Sequence, residues 1–201
     1  MNVTILTVVI NLIGLFLFLF TFFRRMKEDY ASDLIFTTAF YMLAGLGVGY
    51  ALSRIFLPYW WFWLIVSGFS LGLMIGIFRF HLRFFETLES SFASILPWLA
   101  FVFLVDSVNN SSLYSFLAFV SLLGILTLFY FLESIYKNFT WYTSGRVGFS
   151  GMASVAAFFL LRGTIAYFFP FVLSFVGRYD AVISGIIAFF AFYGLYNLSR
   201  S

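Results

Sequence analysis

The sequence predicts an all-α integral membrane protein, a polytopic bundle of about seven transmembrane helices. Hydrophobic residues make up 63% of the 201 residues and charged residues only 9%, whereas ordinary globular chains are roughly 45–50% apolar. The apolar residues form long continuous runs rather than the alternating pattern of a membrane β-barrel. A helix crosses the hydrocarbon core with about 20 residues, so we expect residues 1–201 to form a single transmembrane domain with no soluble part.

The predicted spans cover residues 3–23, 34–53, 55–78, 90–105, 107–132, 147–169 and 181–199. The first run ends at Arg24 and no basic residue precedes it, so we expect a retained helix rather than a cleaved signal peptide. The second and third spans are uncharged runs separated by Arg54. Residues 58–63, Pro-Tyr-Trp-Trp-Phe-Trp, are typical of an aromatic belt at the membrane interface.

The later spans are less uniform than the first three. The fourth is the shortest and contains Pro97, which favours a kink or a partly re-entrant segment. The fifth is long enough to cross with a tilt. The sixth crosses only if Arg162 lies inside the membrane, and the seventh closes the chain. Glycines in the second and third spans predict close helix packing; they are Gly45, Gly47, Gly49, Gly68, Gly72 and Gly76.

The basic residues predict an N-terminus outside and a cytoplasmic C-terminus. Only Arg54 and Arg178 fall in the loops on one side. The loops on the other side hold Arg24, Arg25, Lys27, Arg79, Arg83, Lys137, Arg146 and Arg200. Because cytoplasmic loops carry an excess of Lys and Arg, the second set is assigned to the cytoplasm.

Composition also excludes several classes of function. The net charge of +3 comes from scattered loop residues, so no nucleic-acid partner is predicted. With one histidine, no cysteine and acidic residues far apart, no metal site is predicted, and no cofactor motif is present. His81 lies between Arg79 and Arg83, where contact with anionic lipid headgroups is expected.

Two polar features stand out within or beside the spans. Arg162 has no acidic residue nearby in sequence, and a charge at membrane depth is costly. One interpretation is an anion site that binds a lipid phosphate, and the other is an arginine that snorkels to the interface. The second feature is the run 106–112, Asp-Ser-Val-Asn-Asn-Ser-Ser, which favours a turn over a polar pocket.

The order of these landmarks resembles the prolipoprotein diacylglyceryl transferase family. Residues 45–52, Gly-Leu-Gly-Val-Gly-Tyr-Ala-Leu, are similar to the family's G-A-R-L-G-Y-V-L segment, and residues 111–115, Ser-Ser-Leu-Tyr-Ser, are similar to S-Q-L-Y-E. Residues 145–162 resemble the stretch that ends in Y-G-x-x-R. Arg162 therefore matches the family's functional arginine, and Asn109 matches the asparagine of its G-R-x-G-N signature.

This resemblance implies a reaction, its partners and a set of binding residues. Members of the family transfer a diacylglyceryl group from phosphatidylglycerol to the lipobox cysteine of preprolipoproteins. The implied partners are phosphatidylglycerol and preprolipoprotein signal peptides, and the implied location is the plasma (inner) membrane of a bacterium. Arg162 would bind the lipid phosphate, while Asn109, Tyr114 and Arg54 would supply further polar contacts.

The chain departs from the family at groups that the transfer uses. Phe69 lies near the position of the expected histidine, Asp106 replaces the arginine of G-R-x-G-N, and Ala166 replaces a glutamate. A carboxylate at an anion site repels the anion. A non-catalytic relative, a pseudoenzyme that binds phospholipid or assists membrane-protein assembly, therefore stands beside the divergent transferase. A small-solute transporter is the third interpretation, and it requires polar residues of several helices to converge near the midplane.

Overall fold

The computed structural model describes residues 3–139, 142, 147–169 and 176–200, and the side chains of Val3, Thr4 and Arg200 are not described. Within these ranges the chain is helical and contains no strand. The helices are α1 (Val3–Met26), α2 (Ser32–Ile55), α3 (Trp61–Phe80), α4 (Phe84–Asn110), α5 (Leu113–Ile135), α6 (Phe149–Phe168) and α7 (Arg178–Arg200). All seven are long and apolar enough to cross a membrane. The chain is thus all-α, with the helices of a multi-pass membrane protein.

The predicted bounds of the fourth span and the predicted start of the fifth span are wrong. α4 has 27 residues and continues through Pro97, so the short fourth span of 90–105 was too narrow and no re-entrant segment forms there. Asp106 and Asn109 belong to the last turns of α4. The turn consists of Ser111 and Ser112 alone, and the hydroxyl of Ser112 accepts a hydrogen bond from the Ser115 backbone N–H at the start of α5. α4 is longer than predicted because residues 84–89 at its start and residues 106–110 at its end are also helical.

Close packing of α2 against α3 follows from their glycines. A Cβ atom on Gly45 would collide with the backbone oxygen of Gly68, and one on Gly72 would collide with that of Tyr41. Small residues let membrane helices approach backbone to backbone. Gly47 is different, because a Cβ there would meet nothing within 4 Å. The predicted glycine contact is confirmed on one face of α2, and Gly47 lies on the other.

The remaining helices divide into neighbouring pairs. α1 packs mainly on α4, α6 packs on α7, and α5 lies against α4 and α6. α1 and α2 touch much less, near the loop that joins them. The largest buried cluster lies among α1, α2 and α3, where Phe18, Phe22 and Met42 are fully buried. Consecutive helices run in opposite directions, so the bundle has two ends. We call the end where α6 finishes and α7 begins the Arg162 end, and the end where α1 finishes and α4 begins the Arg25 end.

Candidate functional site

Arg162 is paired with a carboxylate from the next helix. Its Nη2 atom donates a 3.0 Å hydrogen bond to Oδ1 of Asp180, and the two side chains are 10% and 2% exposed. The pair is electrically neutral, so the cost of burying either charge alone is largely offset. A buried charge needs an opposite charge beside it, and Asp180, 18 residues further along the chain, supplies the negative charge for Arg162.

The antiparallel hairpin of α6 and α7 explains why the pair forms. Arg162 lies in the last two turns of α6, and Asp180 lies in the first turn of α7. Residues at these positions face each other when consecutive helices run in opposite directions. Asp180 also gains from its place at a helix N-terminus, where the helix dipole favours negative charge.

Aromatic side chains of α3 enclose the pair. The guanidinium carbon of Arg162 lies 3.6 Å from the ring centroid of Phe62 and 5.5 Å from that of Trp63. Trp63 also donates a hydrogen bond from Nε1 to Asp180 Oδ1 and packs on Phe159. A cation over an aromatic face is attracted by the ring quadrupole. Trp63 is therefore a buried partner of the ion pair.

An apolar groove opens beside this ion pair. It has a volume of about 280 Å³ and lies between α6 and α7, with Gly163, Thr164, Tyr167, Ala181 and Gly185 among its lining residues. Gly163 and Ala181 follow Arg162 and Asp180 directly in the chain, but the two charged residues do not themselves line the groove. A Cβ atom on Gly185 would meet nothing within 4 Å, and that glycine is exposed. The groove is thus open on the outer surface of the bundle, where lipid lies.

The other predicted site residues do not contact Arg162. Asn109 is partly exposed at the end of α4, and Tyr114 is 60% exposed at the start of α5. Arg54 is exposed and donates from Nε to the hydroxyl of Tyr50 within α2. All three lie at the Arg162 end. Among the described residues, however, the hydrogen bonds of Arg162 go to Asp180 alone.

A second buried ionic cluster lies at the Arg25 end. Arg25 donates from Nη2 to Glu89 at 3.0 Å, and it pairs with Glu133 through Nη1 and Nη2. Its guanidinium also lies over the ring of Phe129. Glu89 in turn accepts a 3.0 Å hydrogen bond from the backbone N–H of Gly151. That N–H belongs to the first turn of α6, where helix N–H groups lack partners in their own helix. The cluster therefore joins α1, α4, α5 and α6.

The sequence interpretation missed the residues that make these contacts. Arg25, Glu89 and Glu133 all lie just outside the predicted spans. Asp180 lies between the predicted sixth and seventh spans, so it is not predicted as a partner of Arg162. Arg146, another basic loop residue, lies outside the described residues. One signal could have revealed Asp180: it is the acidic residue in the first turn of the span that follows Arg162.

Within the described ranges, no three or more His, Cys, Asp or Glu residues are grouped as a metal site requires. Comparisons with known protein families, with curated proteins and with solved structures give no match for this chain. The transferase resemblance therefore remains a prediction from its motifs.

Proposed function

We propose that this protein binds a phospholipid of the membrane in the groove between α6 and α7. The observation that carries the proposal is this groove, which is apolar and open and is formed by the same two helices that hold the buried Arg162–Asp180 pair. Phosphatidylglycerol is the proposed ligand, as the family resemblance implies. The proposed location is the plasma membrane of a bacterium.

The shape of the groove supports an acyl chain as its occupant. Phe159, Leu160 and Phe168 form apolar walls, while Gly163 and Gly185 leave the floor without side chains. Leu160 and Phe168 are 53% and 67% exposed, which is ordinary for a surface that faces lipid. A hydrocarbon chain gains little from leaving other lipid tails, so a specific lipid needs a polar contact in addition to the groove.

We infer that the ion pair supplies such a contact, with the buried Arg162 side chain moving toward the groove when a lipid binds, since neither Arg162 nor Asp180 lines the groove. Arg162 uses Nη2 for Asp180, and its buried Nε has no hydrogen-bond partner within the described part of the chain. Because Asp180 neutralises Arg162, the pair offers a hydrogen-bond donor rather than net positive charge. An ester or phosphate oxygen of a lipid can accept from such a donor. In this proposal Arg162 orients the lipid by a hydrogen bond. Electrostatic attraction between the neutral ion pair and the lipid phosphate contributes little to binding.

If the bound phosphatidylglycerol is also a substrate, the protein is a divergent transferase that moves its diacylglyceryl group to a lipobox cysteine. This transfer requires a base for the cysteine thiol and donors for the departing glycerophosphate. The assay uses liposomes with phosphatidylglycerol and a lipobox peptide, and mass spectrometry detects the added diacylglyceryl group. Addition of that mass would support a divergent transferase. Lipid binding without addition would support the non-catalytic relative.

The binding step has a matched pair of variants. Gly185→Leu places a side chain at the groove, where its Cβ meets nothing within 4 Å, and Gly47→Leu adds the same side chain at an exposed, equally open position on α2. A phosphatidylglycerol with a photoreactive acyl chain should cross-link to residues 159–185 in the native chain. We expect Gly185→Leu to lower that yield several-fold and Gly47→Leu to leave it unchanged. Equal yields for all three chains would contradict the proposal.

A further inference from the structure

The surface of the bundle carries a second groove, between α1 and α2. Its volume is about 270 Å³, and it is lined by Phe16, Leu19, Phe20, Phe23 and Phe36. α1 packs mainly on α4 and α2 mainly on α3, and the contact between α1 and α2 is small. The stacked rings of Phe23 and Phe36, with centroids 5.3 Å apart, link the two helices near that loop.

A cation lies in line with this groove on α1. Phe16, Phe20, Phe23 and Lys27 are spaced four, three and four residues apart, which places them on one face of a helix. The backbone N–H of Lys27 donates to the Phe23 carbonyl at 2.9 Å, so the helical path continues to this lysine. Its side chain is exposed. The apolar stripe therefore ends in a positive charge at the Arg25 end.

A carboxylate lies at the start of α2, after the loop that joins it to α1. Asp33 is in the first turn of α2, one turn before Phe36, and it is exposed. The described ion pairs involve neither Asp33 nor Lys27. An unpaired charge of each sign thus lies beyond the loop-side end of the groove, with Lys27 directly after α1 and Asp33 in the first turn of α2.

We propose that this groove binds a zwitterionic phospholipid with a primary ammonium headgroup, of which phosphatidylethanolamine is the test ligand. One acyl chain lies along the phenylalanines, the phosphate contacts Lys27, and the ammonium group contacts Asp33. An ammonium group with three N–H donors can hydrogen-bond a carboxylate, which the trimethylated headgroup of phosphatidylcholine cannot. Phosphatidylglycerol lacks a positive group for Asp33. This site lies on other helices than the α6–α7 groove and does not depend on it.

The test measures where a photoreactive phosphatidylethanolamine attaches to the full chain in liposomes. In the native chain we expect cross-links within residues 16–36, and we expect unlabelled phosphatidylethanolamine to compete better than phosphatidylcholine or phosphatidylglycerol. Lys27→Gln and Asp33→Asn should each lower the yield by about fivefold, the effect of one charge near a membrane surface. Arg79→Gln is the matched control, because Arg79 is an exposed cation at the same end but on α3, and its yield should equal that of the native chain.

Each alternative result would overturn the assignment. Equal competition by the three lipids would remove the headgroup preference, and stronger competition by phosphatidylglycerol would make the site a simple anion site. Unchanged yields in both charge variants would separate the groove from Lys27 and Asp33. Gly185→Leu should not affect this cross-link, so failure of one lipid site can be distinguished from failure of the other.

Discussion

Arg162 Nη2 lies 3.0 Å from Asp180 Oδ1, and this contact holds the end of α6 against the beginning of α7. Trp63 donates to the same carboxylate oxygen, so α3 is attached at that point as well. One carboxylate thus joins three helices, and Trp63 of α3 lies 117 residues from it in the sequence.

Removal of one partner of this pair should be more damaging than removal of both. Arg162→Met leaves the Asp180 charge buried and unpaired, which costs about 3–5 kcal/mol. In the double variant Arg162→Met, Asp180→Leu, no charge remains, and we expect much of that stability to return. Unfolding by SDS in mixed micelles measures the difference. Arg54→Met, at an exposed arginine, is the control and should change stability by less than about 0.5 kcal/mol. A double variant as unstable as the single one would contradict this prediction.

The cluster at the Arg25 end should show unequal contributions from its two carboxylates. Glu89 is 4% exposed and Glu133 is 34% exposed. Glu89→Ala removes a buried partner of Arg25 and the acceptor for the Gly151 N–H, so we expect a loss of about 3–5 kcal/mol. Glu133→Ala leaves Arg25 paired with Glu89 and should cost about 1 kcal/mol. The same SDS titration compares them, and equal losses would refute the assigned roles.

Replacing glycine by valine should lower stability at Gly72 of α3 but not at Gly47 of α2. Gly72→Val places side-chain atoms against the Tyr41 carbonyl and near Met42 Cα, and overpacking of this kind costs about 1–3 kcal/mol. Gly47→Val meets open space and removes a helix-weakening glycine, so stability should stay the same or rise slightly. Thermal unfolding in detergent followed by circular dichroism distinguishes them. Similar melting temperatures for the two variants would exclude close glycine packing.

The predicted orientation can be tested without altering the native chain further, because it contains no cysteine. With the N-terminus outside, Ser112→Cys in the α4–α5 turn should react with a membrane-impermeant maleimide on intact cells. His81→Cys in the α3–α4 loop should react only after permeabilisation. The physical basis is the excess of basic residues on the His81 side. The reverse labelling pattern would invert the topology.

The helices could be predicted well because span length and apolar composition are properties of each segment alone. The first, second and last spans differ from the observed helices by only a few residues. α4 was harder, since its ends contain Glu86, Glu89 and Asp106, which a hydropathy argument places outside the membrane. Other helices supply partners for two of them, Arg25 for Glu89 and Ser115 for Asp106, while Glu86 pairs with Arg83 just before its own helix.

The candidate site was only half predictable. Arg162 is identified from its cost in the membrane, but hydropathy and composition do not identify its partner Asp180, which lies 18 residues away and outside the predicted spans. Trp63 was assigned to the interface because tryptophan is common there, and its burial depends on Asp180 across the bundle. Pairing between helices is information that periodicity and composition do not contain.

The Arg162–Asp180 contact also bears on how the chain enters the bilayer during synthesis. An arginine at the centre of a helix raises the apparent free energy of insertion by about 2.5–3.5 kcal/mol. Arg162, in the last two turns of α6, adds part of that cost, so α6 inserts less readily by itself. α7 follows it and brings the compensating carboxylate. We therefore expect the translocon to hold α6 until α7 has emerged and to release the two helices as a hairpin. The charge pair thereby sets the order in which the last third of the molecule is assembled.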